Sequence, residues 1–236
     1  MHLARYDSET KRKQTLQEHG STVSALCKVY SREIGCPHLG ELCGLIHDAG
    51  KAKQEFLAYL LSGDTHLRGK INHTSAGARY IVERYGRSTD VYQACTAQAV
   101  ALAICSHHSG LIDCIDTNGL DRFRSRLYPD KDVGYDESIT NFENECIAAE
   151  ELDALFHKAV EETRQILEPV HRRDDITQEK SFYFGLFARY LLSCVIDADR
   201  YDAYCFQAGL PAQDPNYELE TTWQELADNL EHYLST

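Results

Sequence analysis

The chain is expected to fold as an all-α helical bundle: apolar residues recur at helical spacing in almost every segment, two segments are apolar nearly all round, and helix breakers are few. With 14 Gly and 5 Pro in 236 residues, 43% hydrophobic and 26% charged, it reads as a folded globular chain rather than a linker-rich one. One domain, or one domain with a small extension, suits this length.

The elements follow in order. Val23, Leu26, Cys27 and Tyr30 mark the apolar face of a first helix, and Leu39 to Ala49 reads as a short amphipathic second one. Ala78, Ile81, Val82 and Tyr85 mark another. Val91 to Ser106, containing AVALAIC, and Glu179 to about Tyr204, containing FYFGLFARYLLSCVI, are the two all-apolar segments and are expected at the centre. A helix from Cys146 to Glu168 should stop before Pro169. From Leu111 to Glu145 the sequence turns polar and aperiodic, predicting a long surface insertion over about 111–145. The stretch QAGLPAQDPN at 207–216 then separates a last helix, Tyr217 to Leu234, that holds the single Trp223.

Composition narrows the function. A formal charge of -13 opposes unaided tight binding of DNA or RNA, because such affinity comes from cations that displace counterions from phosphates. A polyanionic substrate would have to be held by metal or delivered by a partner. The one basic cluster is Arg122, Arg124 and Arg126. Nine cysteines without a CxxC pair read as reduced, mostly buried thiols. No apolar run approaches the roughly 18 residues of a membrane span and the first residues are too polar for a secretory signal, so no membrane is expected and a cytoplasmic location is.

The strongest local signal is His47-Asp48-Ala49-Gly50-Lys51 at the end of a helical pattern, where an imidazole and a carboxylate can share one metal while Gly50 lets the chain turn sharply. Four other candidates also sit near helix ends: His19, His73, the pair His107-His108, and Asp197 or Asp199. Two neighbouring imidazoles after AVALAIC are hard to explain as core packing, since each needs a polar partner. The remaining histidines, His2, His38, His66, His157, His171 and His232, read as surface or structural, and Tyr183, Phe184, Phe187 and Tyr190 read as core.

Taken together, LQEH, LIHDAGK, NHTSAGA, ICSHHSG and LLSCVIDADR resemble the HD nuclease domain of the CRISPR-associated helicase-nuclease of type I interference, in its stand-alone and fused forms, over about Leu16 to Tyr204. Gly20 departs from the pattern, which usually has an apolar residue there. The resemblance implies an HD-superfamily nuclease domain at 1–206, followed at 207–236 by a linker and helix that lead to or dock on a helicase. It implies two divalent ions, one held by His19, His47, Asp48 and a final aspartate, the second by Asp48, His73, His107 and His108. For that aspartate Asp199 is favoured and Asp197 is the alternative. Lys51 would neutralise charge on the phosphoryl group and Ser193 would support a ligand or a phosphate. Such a ligand set suits manganese, iron, cobalt or nickel rather than magnesium or zinc. The implied activity is metal-dependent hydrolysis of single-stranded DNA, with a helicase and the CRISPR surveillance complex as partners. The alternative activity is nucleotide or cyclic-nucleotide phosphohydrolysis.

Overall fold

Helices built on the expected apolar stripes dominate the computed structural model, which describes residues 1–67, 69–131, 133–173, 177–211 and 219–235. Among these residues the order is β1 (Leu3–Tyr6), β2 (Lys13–Thr15), α1 (Leu16–Arg32), α2 (Pro37–Ile46), α3 (Gln54–Ser62), α4 (Ser75–Tyr85) and α5 (Val91–Ser106). Then come α6 (Arg122–Leu127), α7 (Tyr135–Glu145), α8 (Ala149–His171), α9 (Thr177–Ala208) and α10 (Leu219–Ser235). Short 3₁₀ turns occur at Ala49–Lys51 and Thr65–Leu67. The fold is therefore all-α, apart from one antiparallel hairpin pairing Leu3 with Thr15 and Tyr6 with Lys13. Strands of four and three residues are too short for alternation to stand out in the sequence.

The core forms around α5, whose residues from Thr96 to Ser106 are buried with the sole exception of Gln98. It packs against α4, α8, α9 and α2. The α1–α2 pair is held close by small residues: a Cβ on Gly44 would stand 2.7 Å from the Val23 carbonyl oxygen. On α8, Leu152, Phe156, Ala159, Val160, Thr163 and Leu167 form the buried stripe.

Several sequence expectations need correcting. Helix α2 ends at Ile46 instead of reaching Ala49; His47 caps it with helical dihedrals, φ -55°, ψ -34°, and the chain leaves helical geometry at Asp48. Helix α8 carries Pro169 inside it and ends at His171, because a proline in the last turn removes one ladder bond and the Arg172 N–H still reaches the Glu168 carbonyl at 3.0 Å. The stretch 111–145 is not a continuous surface insertion: α6 and α7 occupy its second half, and Leu127, Ile139 and Phe142 are buried. Two apolar residues three apart, diluted by Asp, Glu and Ser, were enough to seat α7 against the Ala49–Lys51 turn. Helix α9 runs on to Ala208, past the end expected at about Tyr204.

Within Glu179–Ala208 a window reaches a mean hydropathy of 1.2, so by length and composition alone this helix is long and apolar enough to cross a membrane, a test that the core helix of a bundle also passes. Of that window 39% is buried, against α1, α5 and α8. In α10 residues 224–235 are exposed, while the Trp223 side chain and residues 212–218 lie outside the described residues.

Candidate metal centre

Local structure delivers each candidate ligand to one place. His19 sits in the first turn of α1, where a capping box fixes the helix start: Glu18 N donates to Thr15 Oγ1 at 3.1 Å and Thr15 N donates to Glu18 Oε2 at 2.8 Å. Beyond the end of α2, Asp48 adopts φ -109°, ψ 17°, in the bridge region. Gly50 matters for close approach at the sharp turn, without a positive φ, since a Cβ there would lie 2.2 Å from the His73 carbonyl oxygen. The His73 segment is pinned by the buried Lys53, whose Nζ donates to Asn72 O at 2.9 Å and Val133 O at 2.8 Å. Where α5 ends, His107 is buried and His108 is exposed.

The donor atoms converge on Asp48. Its Oδ2 lies 3.0 Å from His19 Nε2 and 3.2 Å from His47 Nε2, and Asp199 Oδ1 stands 3.6 Å from His19 Nε2. Its Oδ1 faces the other way, 3.8 Å from His73 Nε2 and 3.7 Å from His107 Nε2. His108 Nε2 joins this second group, 2.9 Å from His73 Nε2.

The outer ring nitrogens explain why the inner ones are lone pairs. His47 Nδ1 donates to Gly44 O at 2.7 Å, His73 Nδ1 to Ile71 O at 3.0 Å, and His107 Nδ1 to Ile104 O at 2.6 Å. His19 Nδ1 lies 2.7 Å from Asp202 Oδ2 and 3.0 Å from Arg5 Nη1. Because a carbonyl can only accept, the rings of His47, His73 and His107 carry their proton outward and point an unprotonated Nε2 inward, whereas His19 Nδ1 sits between the Asp202 acceptor and the Arg5 Nη1 donor. Such anchoring by an outer acceptor is the usual arrangement of metal-bound histidine.

This donor set fits a metal ion. His19, His47, Asp48 and Asp199 each offer one atom within 4.8 Å of the others, and so do Asp48, His73 and His108. Two buried atoms at their junction, Asp48 Oδ1 and His107 Nε2, have no hydrogen-bond partner among the described residues. An unsatisfied buried polar group costs about 1–3 kcal/mol, so acceptor atoms gathered without donors favour a cation among them. The buried cluster could therefore hold a metal ion.

Burial and neighbouring charge set the protonation states. Burial depresses His73 to about 4, with Lys51 and His107 adding to the effect against Asp48, and burial together with His107 depresses His108 to about 4. Both are neutral and free to donate a lone pair. Burial opposes ionisation of Asp48, yet Lys51 and His47 outweigh it and hold the carboxyl well below its ordinary range. Asp199 is lowered in the same way, burial being overcome by His47 and His19. For His47 burial works against the charged form, but the adjacent Asp48 prevails and raises it.

Of the residues singled out in the sequence, His19, His47, Asp48, Lys51, His73, His107, His108 and Asp199 come together here. Asp197 and Ser193 do not: both are exposed, and Ser193 instead lines an apolar groove with Ile34, Tyr190 and Leu186. Residues two or six positions from Asp199 on a helix lie well round the axis from it, so one serine and one aspartate face solvent while Asp199 faces in. The supporting role expected of Ser193 is thereby corrected. The Arg122–Arg126 cluster is also divided: Arg122 pairs with Asp116 at 2.6 Å, Arg124 lies over Tyr128, and Arg126 alone turns to the cleft beside the metal ligands.

Sequence reading missed Arg5, Gln14 and Asp202. Arg5 Nη2 donates to Asp199 Oδ1 at 2.6 Å, and its Nη1 forms a short ion pair with Asp202 Oδ2. Gln14 Nε2 donates to Asp202 Oδ1 at 3.0 Å. The hairpin thus clamps the end of α9 onto His19. Asp202 lies one turn after Asp199 on the same face, a usable signal, whereas nothing about a strand arginine marks it in sequence.

The six unmatched histidines are surface or structural as expected; His2 and His38, for example, pair with Glu145 and Glu162. All nine cysteines are free, six of them buried. No protein-family model matches the chain, and a search of curated proteins finds no match.

Proposed function

We propose that the chain is a metal-dependent phosphodiesterase of the HD superfamily, and within that class a nuclease for single-stranded DNA in type I CRISPR interference. The observation that carries the reading is the set of four histidines with Nδ1 atoms anchored on outer oxygens and Nε2 atoms turned inward, arranged about one carboxylate that offers an oxygen to each side. His19, His47, Asp48 and Asp199 would hold one divalent ion and Asp48, His73, His107 and His108 a second. Five imidazoles against two carboxylates favour manganese, iron, cobalt or nickel over magnesium, and the lack of thiolate at the cluster argues against a closed zinc site. Bound there, such ions supply Lewis-acid polarisation of a phosphoryl oxygen and a hydroxide nucleophile at neutral pH.

The chain's own groups have definite tasks. Asp48 stays ionised and joins the two halves of the cluster. Lys51 Nζ, 2.6 Å from Asp48 Oδ2 and bordering the open cleft, meets the charge that develops on the phosphoryl group. Burial falls from His19 and His47, fully enclosed, to the exposed His108, so substrate approaches from the His108 side. The charge of -13 supports delivery of the strand by a helicase and a surveillance complex rather than capture of duplex DNA by this chain alone.

The test is hydrolysis of circular single-stranded DNA, duplex DNA and free nucleotides by one manganese-supplemented preparation. Cleavage of the circular strand alone is the expected result. Hydrolysis confined to nucleotides or cyclic nucleotides would replace the reading with that of a phosphohydrolase, and no hydrolysis of any of them would remove the enzyme reading.

A further inference from the structure

A cleft of about 680 Å³ opens from the exposed edge of the metal cluster, between His108 and His73 on one side and α3 on the other. In a chain with 37 acidic residues and 24 basic ones, its lining is unusual. Lys51, Lys70 and Arg126 all border it, and none of the described residues that line it is Asp or Glu. Lys51 is engaged with Asp48, but neither Lys70 nor Arg126 has an ion-pair partner among the described residues. Arg126 is held in place by a hydrogen bond from its Nη2 to Ser109 Oγ at 2.8 Å, next to His108. Acidic surface elsewhere and unpaired cations here focus the potential on this one cleft.

The cleft also has an aromatic wall. Phe56 is buried, with the Lys51 ammonium 5.5 Å from its ring centre and His73 tilted against it at 5.2 Å. Tyr59 packs edge-on against Phe56 at 5.7 Å and remains partly exposed to the cleft. Cations at phosphate reach beside a half-exposed ring are the two components of a single-strand binding track.

We infer that this cleft binds the unpaired strand next to the scissile phosphodiester, with Lys70 and Arg126 on flanking phosphates and Tyr59 stacked on a base. The inference rests on the phosphodiesterase reading and specifies the substrate as an extended strand, because a mononucleotide brings no flanking phosphates for Lys70 and Arg126. A duplex cannot splay a base onto Tyr59 without first being opened.

The experiment compares wild type with K70A/R126A and with Y59A in manganese, using two substrates: bis(p-nitrophenyl) phosphate, which needs only the metal cluster, and a twelve-residue oligothymidylate. Binding of a fluorescent phosphorothioate version of that oligonucleotide is followed by anisotropy across a potassium chloride series. In K70A/R126A the ratio of oligonucleotide to small-ester kcat/KM should fall at least tenfold, and the log–log salt slope should flatten by about 1.4, about 0.7 for each cation removed. Y59A should weaken oligonucleotide binding about tenfold with the salt slope retained. A cleavage ratio within twofold of wild type, or an unchanged salt slope, overturns the strand track. Failure of the wild type to hydrolyse even the small ester would instead count against the phosphodiesterase reading itself.

Discussion

His19 Nδ1 lies 2.7 Å from Asp202 Oδ2, and that contact decides which nitrogen of the ring faces Asp48. Burial would raise the Asp202 carboxyl, but the hydrogen bond from His19 outweighs it and keeps the group ionised. D202A should leave the bundle folded and weaken metal binding about 10- to 100-fold, the usual penalty for losing an outer partner of a ligating histidine. Metal titration followed by calorimetry reads this directly; wild-type affinity in D202A would mean that the tautomer is fixed by other means.

Among the described residues Asp48 alone has an oxygen toward each half of the cluster. D48A should abolish hydrolysis, by about a thousandfold or more, and should lower bound metal. Elemental analysis and turnover are measured on the same folded sample. Undiminished turnover in a metal-loaded D48A protein would contradict the shared-carboxylate arrangement.

The two neighbouring aspartates separate cleanly. D199N should lose metal and activity, while D197N, altered at an exposed position, should retain both within about twofold. Metal content of the two variants decides the matter, and the reverse order would move the ligand assignment to Asp197.

Glycines 50 and 20 give a paired stability test. A methyl at Gly50 would press on the His73 backbone at 2.2 Å, so G50A should destabilise the fold by about 1–3 kcal/mol and displace His73. A methyl at Gly20 meets the Leu45 carbonyl oxygen at an ordinary 3.5 Å, and alanine is the better helix former, so G20A should be stabilising by about 0.5–1 kcal/mol. Thermal melts of both check the contrast; equal effects would show that the close approach at Gly50 relaxes without cost.

Much of the fold was legible because most helices announce themselves by apolar spacing: Val91–Ser106 was bounded correctly from sequence alone. What escaped was whatever depends on long-range contact. Helix α7 carries too few apolar residues to register a period, and its burial comes from docking on the Ala49–Lys51 turn. The residues that could hold a metal ion were readable as short motifs near helix ends, since each helix end exposes its terminal residues to a common point. Their supports were not: Arg5 and Asp202 are 197 positions apart, and only the closed bundle makes them neighbours. Ser193 shows the opposite failure, a motif position whose helical phase carries it away from the site.

That separation also orders events during biosynthesis. A ribosome delivering this chain releases His19, His47 and Asp48 early, long before the α9 carboxylates that complete the pocket emerge. Contacts of such sequence separation form slowly and only after the intervening loops are closed. Until Asp199 and Asp202 arrive beside Arg5, His47 is held by its local Gly44 carbonyl but His19 has no outer carboxylate to orient it, so the cluster is expected to close in one late, cooperative step.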